Sequence, residues 1–193
     1  MDRVVALSNT LIIVLWVIWL IVWTAAAFFV KRTQHKEPLG AILYERVPVV
    51  MGFLLLVLPR WLPLALTHRV ISEGPALALG ALALVMAGML FAYWARVHLG
   101  RNWSGEVMVK VGHTLITSGP YRWVRHPIYG GMTLALVGTA LATGAPYGFI
   151  GSALILFGFL IRLRLEEALM RETFPDEYDH YSRHTARLIP GVY

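Results

Sequence analysis

The stretch LIIVLWVIWLIVWTAAAFFV, at positions 11–30, runs for twenty residues without a charged side chain. About twenty apolar residues are enough for an α-helix to cross the hydrocarbon core of a bilayer. A cleaved signal peptide is the alternative, but the run is long for that role, and the positive charges follow it rather than precede it. The stretch therefore predicts a membrane-spanning helix and decides against a soluble fold.

The composition of the whole chain agrees with a membrane fold. Of its 193 residues, 58% are hydrophobic and only 15% are charged, whereas about a quarter of the residues in a soluble domain are charged. Four more apolar runs predict spans at about 48–66, 75–98, 128–143 and 147–165. We therefore predict an all-α integral membrane bundle, a single domain over residues 1–193, with about five transmembrane helices and a cytoplasmic C-terminal helix.

The distribution of positive charge predicts the orientation of the bundle. With five spans, the connectors 31–46 and 96–127 and the tail 162–193 share one side and hold 14 of the 17 Lys and Arg residues. The other side holds Arg3, Arg60 and Arg69. Since cytoplasmic loops are enriched in Lys and Arg, the N-terminus is expected outside and the C-terminus in the cytoplasm. The net charge of +6 then reflects topology and does not indicate a nucleic-acid partner.

Two polar segments carry the residues that could perform chemistry. HTLITSGPYRWVRHPIY (113–129) precedes the fourth predicted span, and RLRLEE (162–167) ends the fifth. Both lie on the predicted cytoplasmic side, within the segments 100–127 and 162–193. We expect the two segments to meet at one membrane face and to form a cofactor site there.

Arg162 and Glu166 are one helical turn apart and share a helix face. Ionisable groups at such a depth are costly and usually face a cavity or a partner. An Arg could bind a carboxylate through its planar fork, and a Glu could accept from an ammonium or from hydroxyls. The alternative is an Arg whose charged head reaches the membrane surface.

The RHP sequence forms the start of the fourth span. Pro127 can be the first helical residue, so that free backbone N–H groups and the charge of Arg125 are available for a carboxylate. A basic, aromatic interface segment is the alternative. No metal is expected, because the chain has no Cys and because His98, His113 and His126 lack the spacing of helical metal ligands.

These segments resemble the isoprenylcysteine carboxyl methyltransferase family. The resemblance covers about the second half of the chain, from Gly100 onward, and also includes FPDEYDHY (174–181) and RLIP (187–190). It implies S-adenosylmethionine as the methyl donor, bound on the cytosolic side, and a lipophilic acceptor that enters from the bilayer. A carboxylate acceptor, such as a prenylcysteine or an isoprenoid acid, is already nucleophilic and needs no general base. The short chain looks like the prokaryotic members, which implies an inner membrane.

The resemblance also implies roles for individual residues. Arg125 and Arg162 would be catalytic, handling the cofactor carboxylate and orienting the acceptor. Cofactor binding would fall to His113, Leu115, Ile116, Tyr121, His126, Tyr129, Glu166 and Glu167.

Three other functions stay open at this point. Phospholipid amine N-methyltransferases look similar in the RHP and EE regions, but an amine acceptor needs a base that the sequence does not offer. Nicotinamide-dependent membrane reductases of the sterol type look similar at the tail but need more spans. A non-enzymatic subunit that binds anionic lipid would not need the cluster of Arg162, Glu166 and Glu167.

Overall fold

The computed structural model describes residues 2–28, 39–100 and 115–191. Throughout these ranges the chain is built from helices, consistent with the predicted all-α fold. The α-helices are α1 (Asp2–Phe28), α2 (Leu39–Val57), α3 (Leu64–Thr67), α4 (Pro75–Leu99), α5 (Pro127–Thr143), α6 (Pro146–Thr173) and α7 (Pro175–His184), with short 3₁₀ turns at Pro59–Trp61 and Gly119–Arg122.

The predicted helical membrane bundle is confirmed. Three helices are long and apolar enough to cross a membrane, at Arg3–Ala25, Pro75–Leu99 and Pro146–Thr173, while Pro127–Thr143 is a shorter apolar helix. Five crossings, the extent of the single domain and the two cytoplasmic segments stay predictions.

The boundaries of three predicted spans differ from the helices. The first span was predicted from position 11, but α1 already begins at Asp2. We predicted a polar connector over 31–46, but α2 already begins at Leu39 and carries Pro48 in its interior. It ends at Val57 rather than at 66, because Pro59 and Pro63 cannot continue the helix. The last long helix, in contrast, runs past 165 to Thr173, where Pro175 follows. The glutamates of RLRLEE are therefore inside a continuous helix.

Glycines allow two pairs of helices to pack very closely. A Cβ atom on Gly88 of α4 would lie 2.4 Å from the carbonyl oxygen of Gly131 in α5, so these backbones are in direct contact. A Cβ on Gly52 of α2 would lie 2.5 Å from the carbonyl oxygen of Gly151 in α6. Small residues at helix crossings are typical of membrane bundles. The two crossings hold α5 against α4 and α6 against α2.

The chain returns to the bundle after α7. Val124 and Ala186 form a parallel β-bridge, in which the Arg125 N–H donates to the Ala186 carbonyl at 2.8 Å and the His126 N–H donates to that of Arg187 at 3.1 Å. Tyr181 is buried in α7 and donates its hydroxyl to the Tyr121 carbonyl at 2.6 Å. The segment that follows α7, at 185–191, is called the C-terminal tail. It is thereby held against the RHP segment (Arg125–Pro127).

Candidate functional site

Three parts of the chain converge on the carboxylate of Glu167, whose side chain is 1% exposed. From the RHP segment, the Arg125 Nε and the His126 Nε2 lie 3.1 and 3.2 Å from its Oε1. From the tail, the Arg187 Nε donates to Oε1 at 3.0 Å and Nη2 donates to Oε2 at 2.6 Å. Glu167 thus links α6, the start of α5 and the C-terminal tail.

Arg125 also binds the backbone at the end of α7. Its Nη1 donates to the Ser182 carbonyl at 2.8 Å and to the Thr185 carbonyl. Both carbonyls belong to the end of α7, which leaves acceptors that a cation can satisfy. The side chain is 6% exposed, so each of these contacts is shielded from water.

His126 lies between the two glutamates of α6. Its Nδ1 is 3.6 Å from the Glu166 Oε2, and its Nε2 faces Glu167. Burial by itself would lower the pKa of His126, but the hydrogen bonds and negative charge of the two carboxylates outweigh burial and raise that pKa overall. The imidazole therefore carries a proton more readily here than in water.

A second group of charges lies one turn earlier on α6. The Arg162 Nε donates to the Glu166 Oε1 at 3.0 Å, and the Tyr129 hydroxyl donates to the same oxygen at 2.7 Å. The Arg162 Nη1 donates to the Glu45 Oε1 at 3.0 Å. Arg162 and Glu166 keep 16% and 25% of their side-chain surface exposed. This pair is therefore partly accessible to a ligand, as is Arg187, whose side chain is 37% exposed.

The network is close to electrically balanced among the described residues. The carboxylates are Glu45, Glu166 and Glu167, which meet the guanidinium groups of Arg125, Arg162 and Arg187, and the exposed Arg46 lies 3.6 Å from Glu45. Arg171, at 3.9 Å from Glu167, is paired in turn with Asp179 at 3.5 Å.

The structure brings most of the predicted site residues together. Arg125, His126, Tyr129, Arg162, Glu166 and Glu167 form one connected network, as the sequence suggested. Tyr121 lies beside it, buried and stacked on His98 with ring centroids 6.4 Å apart. Leu115 and Ile116 are half-buried and contribute no side-chain charge. The predicted contact at His113 lies outside the described residues. The ligand roles of all these residues stay predictions.

Two members of the network were missed. Glu45 was read as part of a polar connector, although the logic that singled out Glu166, a carboxylate at the edge of an apolar run, applies to it equally. Arg187 was noted within RLIP but was given no role. Its partnership with Glu167 depends on the return of the tail, which no local pattern encodes.

Comparisons with known proteins find similarity to a family over the part of the chain that holds most of this network. The sequence model of the isoprenylcysteine carboxyl methyltransferase family matches residues 81–172, which include the RHP segment and both glutamates of α6. A probable protein-S-isoprenylcysteine O-methyltransferase from Oryza sativa subsp. indica is 28% identical over 171 residues, which cover 87% of each chain. The protein-S-isoprenylcysteine O-methyltransferase of Schizosaccharomyces pombe is 32% identical over 133 residues, or 67% of this chain and 55% of the yeast protein.

A relative that is named for a different activity aligns over a smaller part of both chains. The phosphatidyl-N-methylethanolamine N-methyltransferase of Neurospora crassa is 28% identical over 104 residues, or 53% of this chain and 49% of the fungal protein. Both activities are methyl transfers, and the family match includes Arg125, His126, Arg162, Glu166 and Glu167 of the charged network but not Glu45 or Arg187. Over residues 81–172 the chain is similar to the isoprenylcysteine carboxyl methyltransferase family, and it is a methyltransferase.

Proposed function

We propose that this protein transfers a methyl group from S-adenosylmethionine to the carboxylate of a prenylated cysteine, at the cytoplasmic face of a prokaryotic inner membrane. The observation that carries the proposal is the partly exposed pair of Arg162 and Glu166, held by Tyr129 at the end of an apolar bundle. A site of this kind offers charged groups to a polar head and apolar helix surface to a lipid tail.

The residues present fit the proposed methyl donor. When bound, S-adenosylmethionine supplies a methyl group on a positively charged sulfur, which a carboxylate can take up by in-line displacement. The amino-acid end of this molecule carries both an ammonium and a carboxylate. Glu166, exposed at 25%, is an acceptor for ammonium or ribose hydroxyls, and His126 beside it is a donor for a carboxylate.

The two glutamates differ in burial, and we propose a different role for each. Glu167 has 1% of its side chain exposed and accepts from Arg125, His126 and Arg187, so its oxygens are engaged within the protein. We assign Glu167 and Arg125 to holding the tail and the RHP segment in register. Glu166 then faces the cofactor, and Arg162 orients the acceptor carboxylate. Alignment of this kind is what the reaction requires, because the nucleophile is already charged.

The proposed acceptor approaches through the membrane. The bundle exposes large apolar side chains along α1, α4 and α6, among them Ile13, Leu90 and Phe157. A prenyl chain in the bilayer could lie against such surfaces and bring its carboxylate to the cytoplasmic end. The names of the rice and S. pombe relatives support a prenylcysteine over an isoprenoid acid.

The direct test joins donor binding to product chemistry. We expect S-adenosylhomocysteine to bind the detergent-purified protein in calorimetric titration, and Glu166→Gln to weaken binding at least tenfold. Glu172→Gln, on the same helix but exposed, is the matched control and should bind as the wild type does. Labelled S-adenosylmethionine should methylate N-acetyl-S-farnesylcysteine, and alkali should release the label as methanol. An alkali-stable product on a phospholipid amine would replace this proposal with the N-methyltransferase alternative.

The orientation can be tested separately, because the chain contains no Cys. Arg183→Cys in α7 should react with a membrane-impermeant maleimide only after the cytoplasmic side is opened. Arg60→Cys, in the turn after α2, should react in intact cells. The reverse pattern would place the charged network outside, where the cytosolic donor is absent.

A further inference from the structure

Glu45 is a buried carboxylate in the half of the chain that precedes the family match at residues 81–172. Its side chain is 2% exposed, whereas that of its neighbour Arg46 is 53% exposed. The residue lies on α2, an apolar helix in which a buried carboxylate needs a specific partner. The nearer partner is Arg162 of α6, at 3.0 Å, while the exposed Arg46 lies 3.6 Å from the same oxygen.

The packing of α2 on α6 fixes the position of Glu45. A Cβ on Gly158 would lie 2.8 Å from the Glu45 carbonyl oxygen and 2.5 Å from the Cγ2 of Val49. Gly158 precedes Arg162 by four residues, so both lie on the same face of α6. The missing side chain of Gly158 therefore lets the backbone of Glu45 settle directly beside the guanidinium.

The guanidinium of Arg162 is held from two directions. Glu166, on the same helix, accepts from Nε, and Glu45, on the other helix, accepts from Nη1. A single partner would leave the long side chain free to turn about the remaining contact. Two partners on different helices fix both the place and the plane of the fork, and these decide how it can meet a carboxylate.

Stability alone does not account for Glu45. Its Oε2 is buried and has no hydrogen-bond partner among the described residues. A buried acceptor without a donor is unfavourable, and buried ion pairs often add little to stability compared with apolar packing. A carboxylate kept in such a position points to a function that uses its charge.

We propose that Glu45 is a positioning residue for the methyl acceptor, which holds the Arg162 guanidinium in the orientation that binds the acceptor carboxylate. This inference rests on the proposed function, in which Arg162 meets the acceptor and Glu166 the cofactor. It makes α2 a part of the acceptor site. Loss of Glu45 then weakens acceptor binding and leaves cofactor binding intact.

The experiment compares Glu45→Gln with Glu73→Gln. Glu73 pairs with Arg69 at 3.4 Å, is 46% exposed and lies away from the network, so it controls for the loss of an ion pair as such. For Glu45→Gln we expect the KM for N-acetyl-S-farnesylcysteine to rise about tenfold, the equivalent of one charge-assisted contact. The affinity for S-adenosylhomocysteine should stay close to wild type, whereas the melting temperature should fall because a buried charge pair is broken. Glu73→Gln should change none of these.

Two further variants keep the test decisive. Glu45→Asp retains the charge but withdraws it by one methylene, and should raise the acceptor KM in the same direction if Glu45→Gln does not fold. Gly158→Ala should push α2 away from α6 and raise the acceptor KM, although Glu45 and Arg162 themselves are unchanged. An unchanged acceptor KM with a lowered melting temperature would make Glu45 purely structural. Absence of methyl transfer and of S-adenosylhomocysteine binding in the wild type would instead overturn the proposed function itself.

Discussion

Arg125→Met is the substitution that most directly tests whether the tail is held by the network. Methionine keeps much of the apolar length of arginine but has no charge and no N–H donor. It removes the contact from Arg125 to Glu167 and both contacts to carbonyls at the end of α7. Glu167 keeps His126 and Arg187 as partners, but the carbonyls of Ser182 and Thr185 lose their donor.

The size of the effect follows from burial. Breaking a buried charge pair by removing one partner costs about 3–5 kcal/mol. Because Arg187 still pairs with Glu167, the lower end of that range, about 3 kcal/mol, is the expected loss in unfolding free energy. For a chain of this size, 1 kcal/mol shifts the melting temperature by about 2–4 °C on the scale of soluble domains. We therefore expect a shift of about 6–12 °C.

The assay is thermal unfolding in detergent, followed by tryptophan fluorescence, together with limited trypsin digestion. Arg122→Met is the control, because Arg122 is exposed and ends the 3₁₀ turn three residues before Arg125. Arg125→Met should melt lower and lose the tail to trypsin first, with cleavage after Arg183. Equal melting temperatures and equal rates of trypsin digestion in both variants would refute the reasoning, because the tail would then be held by packing alone.

Three other changes test separate parts of the structure. Gly131→Ala should destabilise the protein by about 1–3 kcal/mol, because its new Cβ would lie 2.4 Å from the Gly88 carbonyl oxygen; a melting curve like that of the wild type would contradict this close crossing. Tyr181→Phe removes the hydroxyl that donates to Tyr121 and should cost about 1–2 kcal/mol in the same assay, and no change would mean that the bond is replaced. The raised pKa of His126 contributes stability that is present below pH 6.5, its ordinary value, and is lost as pH rises through the folded value. The melting temperature should therefore fall more steeply from pH 6 to 9 in the wild type than in His126→Gln. An equal dependence of the melting temperature on pH in both proteins would count against a protonated His126.

The sequence was sufficient for the class of fold and for most of the site. Long apolar runs predict helices wherever the hydrocarbon core must be crossed, because backbone groups there have to be paired internally. The spacing of Arg162 and Glu166 fixes their contact within one helix, and Pro127 marks the start of α5. These are local features, and for that reason they were predictable.

The parts that were missed depend on contacts between distant segments. The pairing of Glu45 with Arg162 spans 117 positions and requires the glycine contacts between α2 and α6. The pairing of Arg187 with Glu167 requires the turn at Phe174 and the return of the tail to Val124. The start of α2 was placed too late because Pro48 was taken as a boundary, although the helix accommodates it.

The balance of charges in the network suggests how charged side chains can be placed at a membrane. An unpaired guanidinium near hydrocarbon would be costly, and so would an unpaired carboxylate. In this protein Arg162 is paired with both Glu45 and Glu166, so its guanidinium does not face lipid as an isolated cation. If the proposed function is correct, the acceptor carboxylate replaces part of the contact between Arg162 and its glutamates. Arg162 is already largely out of water, so binding does not have to desolvate it. The gain from binding is then modest, and selectivity depends on the geometry of the fork. That geometry is what Glu45 controls, and the acceptor KM of Glu45→Gln should therefore reveal it more clearly than any change in stability.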